Sequence, residues 1–474
     1  MHGIVAAAHT GKPESLLARQ RKAFLDAGAP SLAQRRADLK TLRAAILAHR
    51  DAIADAISAD FGHRSRHETA IMEILTLTRG IDYLHRNLRR FMRPTRRHVP
   101  LTLRSGRAHI VYQPLGVVGI MSPWNYPVSL ALMPLATAIA AGNRAMIKPS
   151  EFTPRTGELL ATMLAAHFDA AQVAVVQGDA GIGAAFSRLP FDHLVFTGST
   201  SVGRAVMKAA SENLVPLTLE LGGKSPVIVA RDADMARAVA RIAYGKLANA
   251  GQTCIAPDYA LVHADRVDAF VAAFDADVRR RYPAGPDSLD YTAIVNDRHH
   301  ARLSGLLDDA RSKGARILDL GMGTAEVRRA HTLPPTLVLD VDDAMTIMQE
   351  EIFGPILPIV TYTAMDQAIA YINARARPLA LYYFGPDDAD RRAVLSRTTS
   401  GNVTINGTLL HYAQEDLPFG GVGPSGMGAY HGVEGFRALS HAKGVFEQGR
   451  WNGADLLRAP FGALADRLLA LLLR

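Results

Sequence analysis

The sequence predicts an α/β protein built on parallel sheet, and three observations carry that expectation. From Ala108 onward, short β-rich segments alternate with helical runs, the pattern of βαβ units. The chain has 474 residues, room for about three folding units of ordinary size. Its composition is 48% hydrophobic and 21% charged, with one cysteine. A large core can therefore form with no disulfide and no cysteine metal cage, which points to a reducing, cytoplasmic setting.

The part before the sheet reads as helical. Ser31 followed by Gln34 has capping-box spacing, and Leu39, Leu42, Ile46 and Ile53 continue an apolar stripe. Gly62 is a stop. A second helix is expected over residues 68–92, ended by Pro94 and followed by a basic loop at 96–100.

Strands are expected at 109–112, 117–121, 144–147, 173–176, 193–196, 217–219 and 227–229, with helices at 130–141, 156–168 and 202–212 between several of them. A second α/β unit is expected from about Gly223. Its helices fall at 235–250, 267–280 and 299–313, and its strands at 260–262, 336–339, 357–362, 380–384 and 402–405. No internal repeat or low-complexity linker interrupts the chain.

The ends are read as follows. Residues 1–15 hold a short apolar run with no charged segment before it, so no signal peptide is expected. Residues 461–474 are Leu-rich but too short to span a bilayer. There Leu464, Leu468, Leu471 and Leu472 fall on one helical face. Such a face docks on the body or on a second subunit, the other reading being a membrane surface. The formal charge is +8. Its Arg and Lys residues are spread out, with small knots at Arg89-Arg90, Arg96-Arg97 and Arg279 to Arg281. That is a solvated surface, not a nucleic-acid footprint.

Five segments could carry chemistry, and each has a plain alternative. Gly251-Gln252-Thr253-Cys254 places the single thiol in a polar turn after a helix. There it is either a small core hydrophobe or a nucleophile. Glu220-Leu221-Gly222-Gly223-Lys224 puts a carboxylate at a strand end beside two glycines, as a general base or as a surface turn. Phe196-Thr197-Gly198-Ser199, leading to Gly203, enters a helix whose first amides could receive a phosphate, or is an ordinary βα turn. Lys148-Pro149-Ser150-Glu151 could hold ribose hydroxyls or start a capped helix. Pro123-Trp124-Asn125-Tyr126-Pro127 is a stiff aromatic loop in which Asn125 is an oxyanion donor or a turn residue.

Taken in order and spacing, with Glu350-Glu351-Ile352-Phe353-Gly354-Pro355 and Pro418-Phe419-Gly420-Gly421-Val422-Gly423-Pro424-Ser425-Gly426, these segments resemble the aldehyde dehydrogenase superfamily along almost the whole chain. The short N-terminal part looks class 3-like. Phe61-Gly62-His63-Arg64-Ser65 before Glu68-Thr69, Met92-Arg93-Pro94 and the run from Leu409 to Pro418 look like the coniferyl aldehyde dehydrogenase group.

The resemblance implies a fold with a Rossmann-type NAD(P)-binding domain from 1–95 and 115–222, and an α/β catalytic domain from 223–435. It also implies a small β-rich oligomerisation element and tail from 96–114 and 436–474. It implies that Cys254 attacks the aldehyde, that Asn125 and the Cys254 N–H hold the oxyanion, and that Glu220 activates water against the thioester. Lys148 and Glu151 match residues that bind the adenosine ribose. Gly198, Ser199 and Gly203 match the diphosphate side, and Glu351 and Phe353 the nicotinamide riboside, with Pro123, Trp124 and Leu221 in the same channel. NAD is the implied coenzyme with NADP tolerated, no metal is implied, and a homodimer is expected.

The implied substrate is a bulky or aromatic aldehyde, coniferyl aldehyde-like, or else a medium- to long-chain aliphatic one. Two rivals are weaker. An enzyme passing its acyl group to coenzyme A or phosphate typically lacks the glutamate found here at Glu220. A protein that keeps the fold without turnover has no reason to keep Cys254, Glu220 and Asn125 together.

Overall fold

The structure is a computed structural model that describes residues 12–100, 103–321, 329–450 and 453–473. Residues 1–11, on which the expectation of no signal peptide chiefly rests, lie outside the described residues.

Sixteen strands are described. Near the first sheet come β1 (Thr95–Arg97), β2 (Arg107–Pro114), β3 (Val117–Met121), β4 (Arg144–Lys148), β5 (Val173–Val175), β6 (His193–Thr197) and β7 (Leu217–Glu220). The middle of the chain gives β8 (Pro226–Val229), β9 (Tyr259–His263), β10 (Arg316–Asp319), β11 (Thr336–Leu339) and β12 (Ile356–Tyr362). The last four are β13 (Ala380–Phe384), β14 (Asn402–Ile405), β15 (Gly426–Met427) and β16 (Ser440–Glu447).

One sheet runs β15-β7-β6-β3-β4-β5 and a second β10-β11-β12-β9-β8-β13-β14. All pairings within them are parallel except β15–β7 and β10–β11 at the edges. Parallel strands covered by helices on both faces are continuously apolar, and β6, β8, β11 and β13 are buried at every position. The third sheet, β1-β2-β16, is antiparallel throughout, β16 lying along β2 from Ser440↔Pro114 to Glu447↔Arg107. β15 returns from the far end of the chain to pair Gly426 with Glu220.

Most elements fall where the periodicity puts them, but four do not. The helix expected at 68–92 is interrupted. It begins as Arg66–Glu68, widens into a π-helical stretch at Thr69–Leu75, and resumes at Thr76–Phe91. The wide turn carries Glu73, whose buried carboxylate accepts N–H bonds from Val128 at 3.0 Å and Ser129 at 2.6 Å. The basic stretch at 96–100 is not all loop, because Thr95–Arg97 pairs with β2. The helix at 235–250 stops at Leu247, since Asn249 and Ala250 adopt left-handed φ of 53° and 49°. Finally, the C-terminal helix Ala463–Leu472 keeps only Ala465 buried, and Leu464, Leu471 and Leu472 stay exposed. The apolar stripe therefore does not dock on the body of its own chain. Among the described residues no helix is long and apolar enough to cross a membrane.

Candidate active site

Strands β3 and β6 are neighbours, and at their carboxyl ends the chain leaves β3 toward β4 and β6 toward β7, in opposite directions. Such switch points open a crevice where ligands bind in open α/β sheets. Pro123, Trp124 and Asn125 follow β3, and Gly198 and Ser199 follow β6. Ser199 caps the next helix, Thr200–Ser211, its hydroxyl accepting from the Val202 N–H. The first amides of that helix and its dipole therefore face the crevice.

The loop that bears Cys254 is held by its neighbours. The left-handed turn at Asn249 and Ala250 continues through Gly251 at φ +73°. A side chain at Gly251 would collide with the main-chain carbonyls of Gly354 and Lys246, so only glycine fits. Gln252 is completely engaged. Its amide donates to the oxygens of Asn249 at 2.9 Å and Ala293 at 3.0 Å, and its carbonyl accepts from the Val295 N–H at 3.0 Å. Thr253 shares a 2.7 Å hydroxyl contact with Tyr126.

Asn125 is buried against this loop, and its amide donates to the Gln252 carbonyl at 3.0 Å. The Asn125 main-chain oxygen accepts from Arg64 at 2.9 Å and from Asn249 at 3.0 Å. Arg64 is itself wholly buried, paired with Glu73 at 3.2 Å and packed over the rings of Phe61 and Tyr126. A single amide side chain donates two N–H groups, so one remains for a ligand.

Glu220, at the end of β7, is 2% exposed, and neither carboxylate oxygen has a hydrogen-bond partner among the described residues. Burial without compensation raises its pKa well above the ordinary range. Burial also pushes the Cys254 thiol up to about 12, with the charges of Glu351 and Glu220 adding to it and the Cys254 and Ile255 N–H groups opposing it. Glu351 is lifted to about 8, first by burial and then by Asp258, against the Gly223 N–H, Lys224 and Arg302. A buried thiol beside two carboxyls of raised pKa, in a cleft, is the kind of perturbed titratable cluster that marks a candidate functional site.

Two cavities meet at Cys254. One, of about 580 Å³, is lined by Pro123, Trp124, Asn125, Gly198, Ser199, Glu220, Leu221, Cys254, Glu351 and Phe353, together with His299. It adjoins a space of about 590 Å³ that Lys148 and Glu151 also line. The other, of about 210 Å³, is mostly apolar and aromatic, with Tyr126, Tyr244, Tyr412, Phe419 and Tyr430 among its walls. Cys254 and Glu220 line both.

Twelve of the residues singled out in the sequence are thus brought to one connected space. Gly203 is not on its wall. It lies one turn into its helix, and a Cβ there would strike Leu221, so it allows the helix to approach that residue. Lys148 and Glu151 pair with each other at 3.2 Å at the mouth. Phe353, held at φ 54°, packs edge-on to Trp124 at 5.4 Å. Sequence reasoning missed Asn249, Glu73 and His299, whose ring lies 4.8 Å from Trp124. Arg64 stood in a quoted motif without a role. Spacing does not reveal the contacts that place the four at the site, because Arg64 and Asn249 meet Asn125, Glu73 meets Val128 and His299 meets Trp124 from far along the chain. Among the described residues no group of three or more His, Cys, Asp and Glu side chains could hold a metal ion.

The chain is similar to known proteins along almost its whole length. The model of the aldehyde dehydrogenase family matches residues 3–445. A Pseudomonas aeruginosa protein named "Probable coniferyl aldehyde dehydrogenase" is 53% identical over 456 residues, 96% of this chain and 95% of its own length. The coniferyl aldehyde dehydrogenase of Pseudomonas sp. strain HR199 is 48% identical over 465 residues, covering 97% and 96%. Among solved structures, that titled "Substrate bound state of Staphylococcus Aureus AldH" superposes with a TM-score of 0.91 at 38% identity, over 97% of this chain and 99% of that one. The family uses NAD(P). With the fold, the crevice and these relatives in agreement, the chain belongs to the aldehyde dehydrogenase family and is an oxidoreductase acting on aldehydes.

Proposed function

We propose that this aldehyde dehydrogenase oxidises bulky, aromatic aldehydes of the coniferyl aldehyde kind to their carboxylic acids, with NAD as the preferred coenzyme. One observation carries the reading. Cys254 and Glu220 stand on the wall shared by an apolar, aromatic cavity and a polar one that runs to a helix N-terminus. An aldehyde entering from the first side meets the thiol where a coenzyme entering from the second reaches the same carbon. The residues fit that coenzyme. Glu351 Oε1 is buried without a partner, and a Cβ on Gly222 would strike the Glu351 carboxylate, so the glycine keeps that wall open. The amides at Thr200–Ser211 suit a diphosphate, and the Glu151 carboxylate suits ribose hydroxyls.

In this reading the Cys254 Sγ bonds to the aldehyde carbon as its proton passes to water, directly or by way of Glu220, which releases it before hydrolysis. The free N–H of Asn125 and the Cys254 N–H stabilise the resulting oxyanion. When bound in the polar cavity, the nicotinamide supplies a positive charge near the thiol and the hydride acceptor that turns the thiohemiacetal into a thioester. Glu220 then takes a proton from water as its oxygen bonds to the acyl carbon. The carbon–sulfur bond breaks, and the acid leaves with Cys254 restored.

The measurement that tests the substrate class is kcat/KM across cinnamyl, benzylic and straight-chain aldehydes. Cinnamyl aldehydes are expected to lead. Decanal or acetaldehyde giving the highest value overturns the assignment. Cys254→Ala is expected to abolish turnover while leaving the far-UV spectrum and NAD binding intact.

A further inference from the structure

The apolar cavity that Cys254 shares has, besides Glu220, a carboxyl for which the reaction has no use. Glu415 lines it, in the segment after helix Leu410–Ala413. Among the described residues its carboxylate has neither a hydrogen bond nor an ion pair, and Oε2 is fully buried. Oε2 lies over Gly80, where a Cβ would come within 3.1 Å of it and within 2.7 Å of Met133 Sδ. Arg79 lines the same cavity but makes no ion pair with Glu415. The neighbouring walls are Leu75, Leu409, Tyr412, Phe419 and Tyr430. Burial lifts the carboxyl to about 7, with no cation opposing it.

A carboxyl left unpaired in such a wall is costly unless a ligand brings it a donor. The walls select an apolar body, and the thiol selects an aldehyde. What remains for Glu415 is a hydroxyl elsewhere on the same molecule. We propose that Glu415 determines specificity by accepting a hydrogen bond from a hydroxyl on the ring of an aromatic aldehyde whose carbonyl carbon is at Cys254. This rests on the reading of the substrate as a bulky aromatic aldehyde and sharpens it to hydroxylated rings. Straight-chain aldehydes, and aromatic aldehydes whose ring hydroxyl is methylated, fill the same cavity without bringing the carboxylate a donor.

Two comparisons test it. The first is the ratio of kcat/KM for 4-hydroxycinnamaldehyde to that for 4-methoxycinnamaldehyde, in wild type, Glu415→Leu and Glu415→Gln. The second is calorimetric binding of 4-hydroxycinnamate against 4-methoxycinnamate to the same proteins. A hydrogen bond to a charged acceptor corresponds to a preference on the order of tenfold or more. The wild type is expected to show that preference in both experiments. The ratio should fall toward one in Glu415→Leu and lie between in Glu415→Gln, whose amide oxygen still accepts.

A wild-type ratio near one overturns the proposal, as does an unchanged ratio in folded Glu415→Leu. If Glu415→Leu does not fold, an unchanged ratio in Glu415→Gln overturns it. Decanal outpacing both cinnamaldehydes in the wild type overturns the aromatic-substrate reading and this one with it. Fast turnover of both cinnamaldehydes without a hydroxyl preference overturns this one alone.

Discussion

The side-chain amide of Asn125 donates to the main-chain oxygen of Gln252 at 3.0 Å, so the loop after β3 is tied to the loop that carries Cys254. One N–H of the amide is spent on that tie, and the other is left for the substrate oxygen. Asn125→Ala is therefore expected to lower kcat by about 10²–10³, with KM changing far less. A purely structural role would instead lower the melting temperature and leave kcat of the folded fraction near wild type, which a calorimetric scan beside the kinetics distinguishes.

In the proposed reaction Glu220 is required only in the second half-reaction, the hydrolysis. Glu220→Gln keeps size and shape but removes basicity, so steady-state turnover should fall by ~10²–10⁴-fold. A pre-steady-state burst of NADH should survive, and mass spectrometry should find the acyl group on Cys254. Burst and steady state falling together, with no trapped acyl-enzyme, would withdraw the hydrolytic role.

In the proposed reading coenzyme choice turns on Glu151, whose carboxylate lines the polar cavity paired with Lys148. A 2′-phosphate would bring like charge against it. The wild type should prefer NAD by kcat/KM and still accept NADP. Glu151→Gln should shift the ratio toward NADP, because Lys148 is freed to meet the phosphate. A wild-type preference for NADP would contradict this.

A homodimer is expected in solution. Among the described residues one edge of β16 is unpaired, Phe446 on it is half exposed, and Leu464, Leu469, Leu471 and Leu472 of the C-terminal helix are uncovered. Open strand edges and apolar faces of this kind pair with a second copy. Light scattering should give twice the chain mass, and Phe446→Glu should shift it toward monomer. A monodisperse wild-type monomer would exclude the assembly.

His193 links stability to pH. It is buried in β6, within 2.9 Å of the Thr218 hydroxyl, and desolvation lowers its pKa from 6.5 to about 4. A group whose folded pKa is depressed binds its proton more readily in the unfolded chain. Its contribution is thus present above about pH 6.5 and lost as pH falls toward 4, by about 3 kcal/mol at most. His193→Gln should flatten the loss of melting temperature across that window relative to wild type. Parallel curves would mean that other groups carry the acid sensitivity.

The strands and helices of both large sheets were readable because buried parallel strands are short apolar runs and their flanking helices keep a 3.6-residue period. The motif around Cys254, and Glu220 at the end of β7, could be found for a related reason: turns that carry chemistry are built from Gly, Asn and Glu, which stand out against apolar neighbours. Each of these signals is local, so the chain determined its own elements and the order of its chemical groups.

Tertiary structure alone decided which groups face one another. The sequence does not show that Arg64 holds the Asn125 carbonyl, that Asn249 leaves the helix to grip it as well, or that Glu73 widens a helix to cap the start of another. Nor does it show that Glu415 shares a cavity with Cys254 across 161 positions of chain. Those relations depend on where two sheets come to rest, and burial then sets the charges. A carboxyl at a strand end is ordinary in water, and its pKa rises well above the usual range only once the fold has removed its solvent.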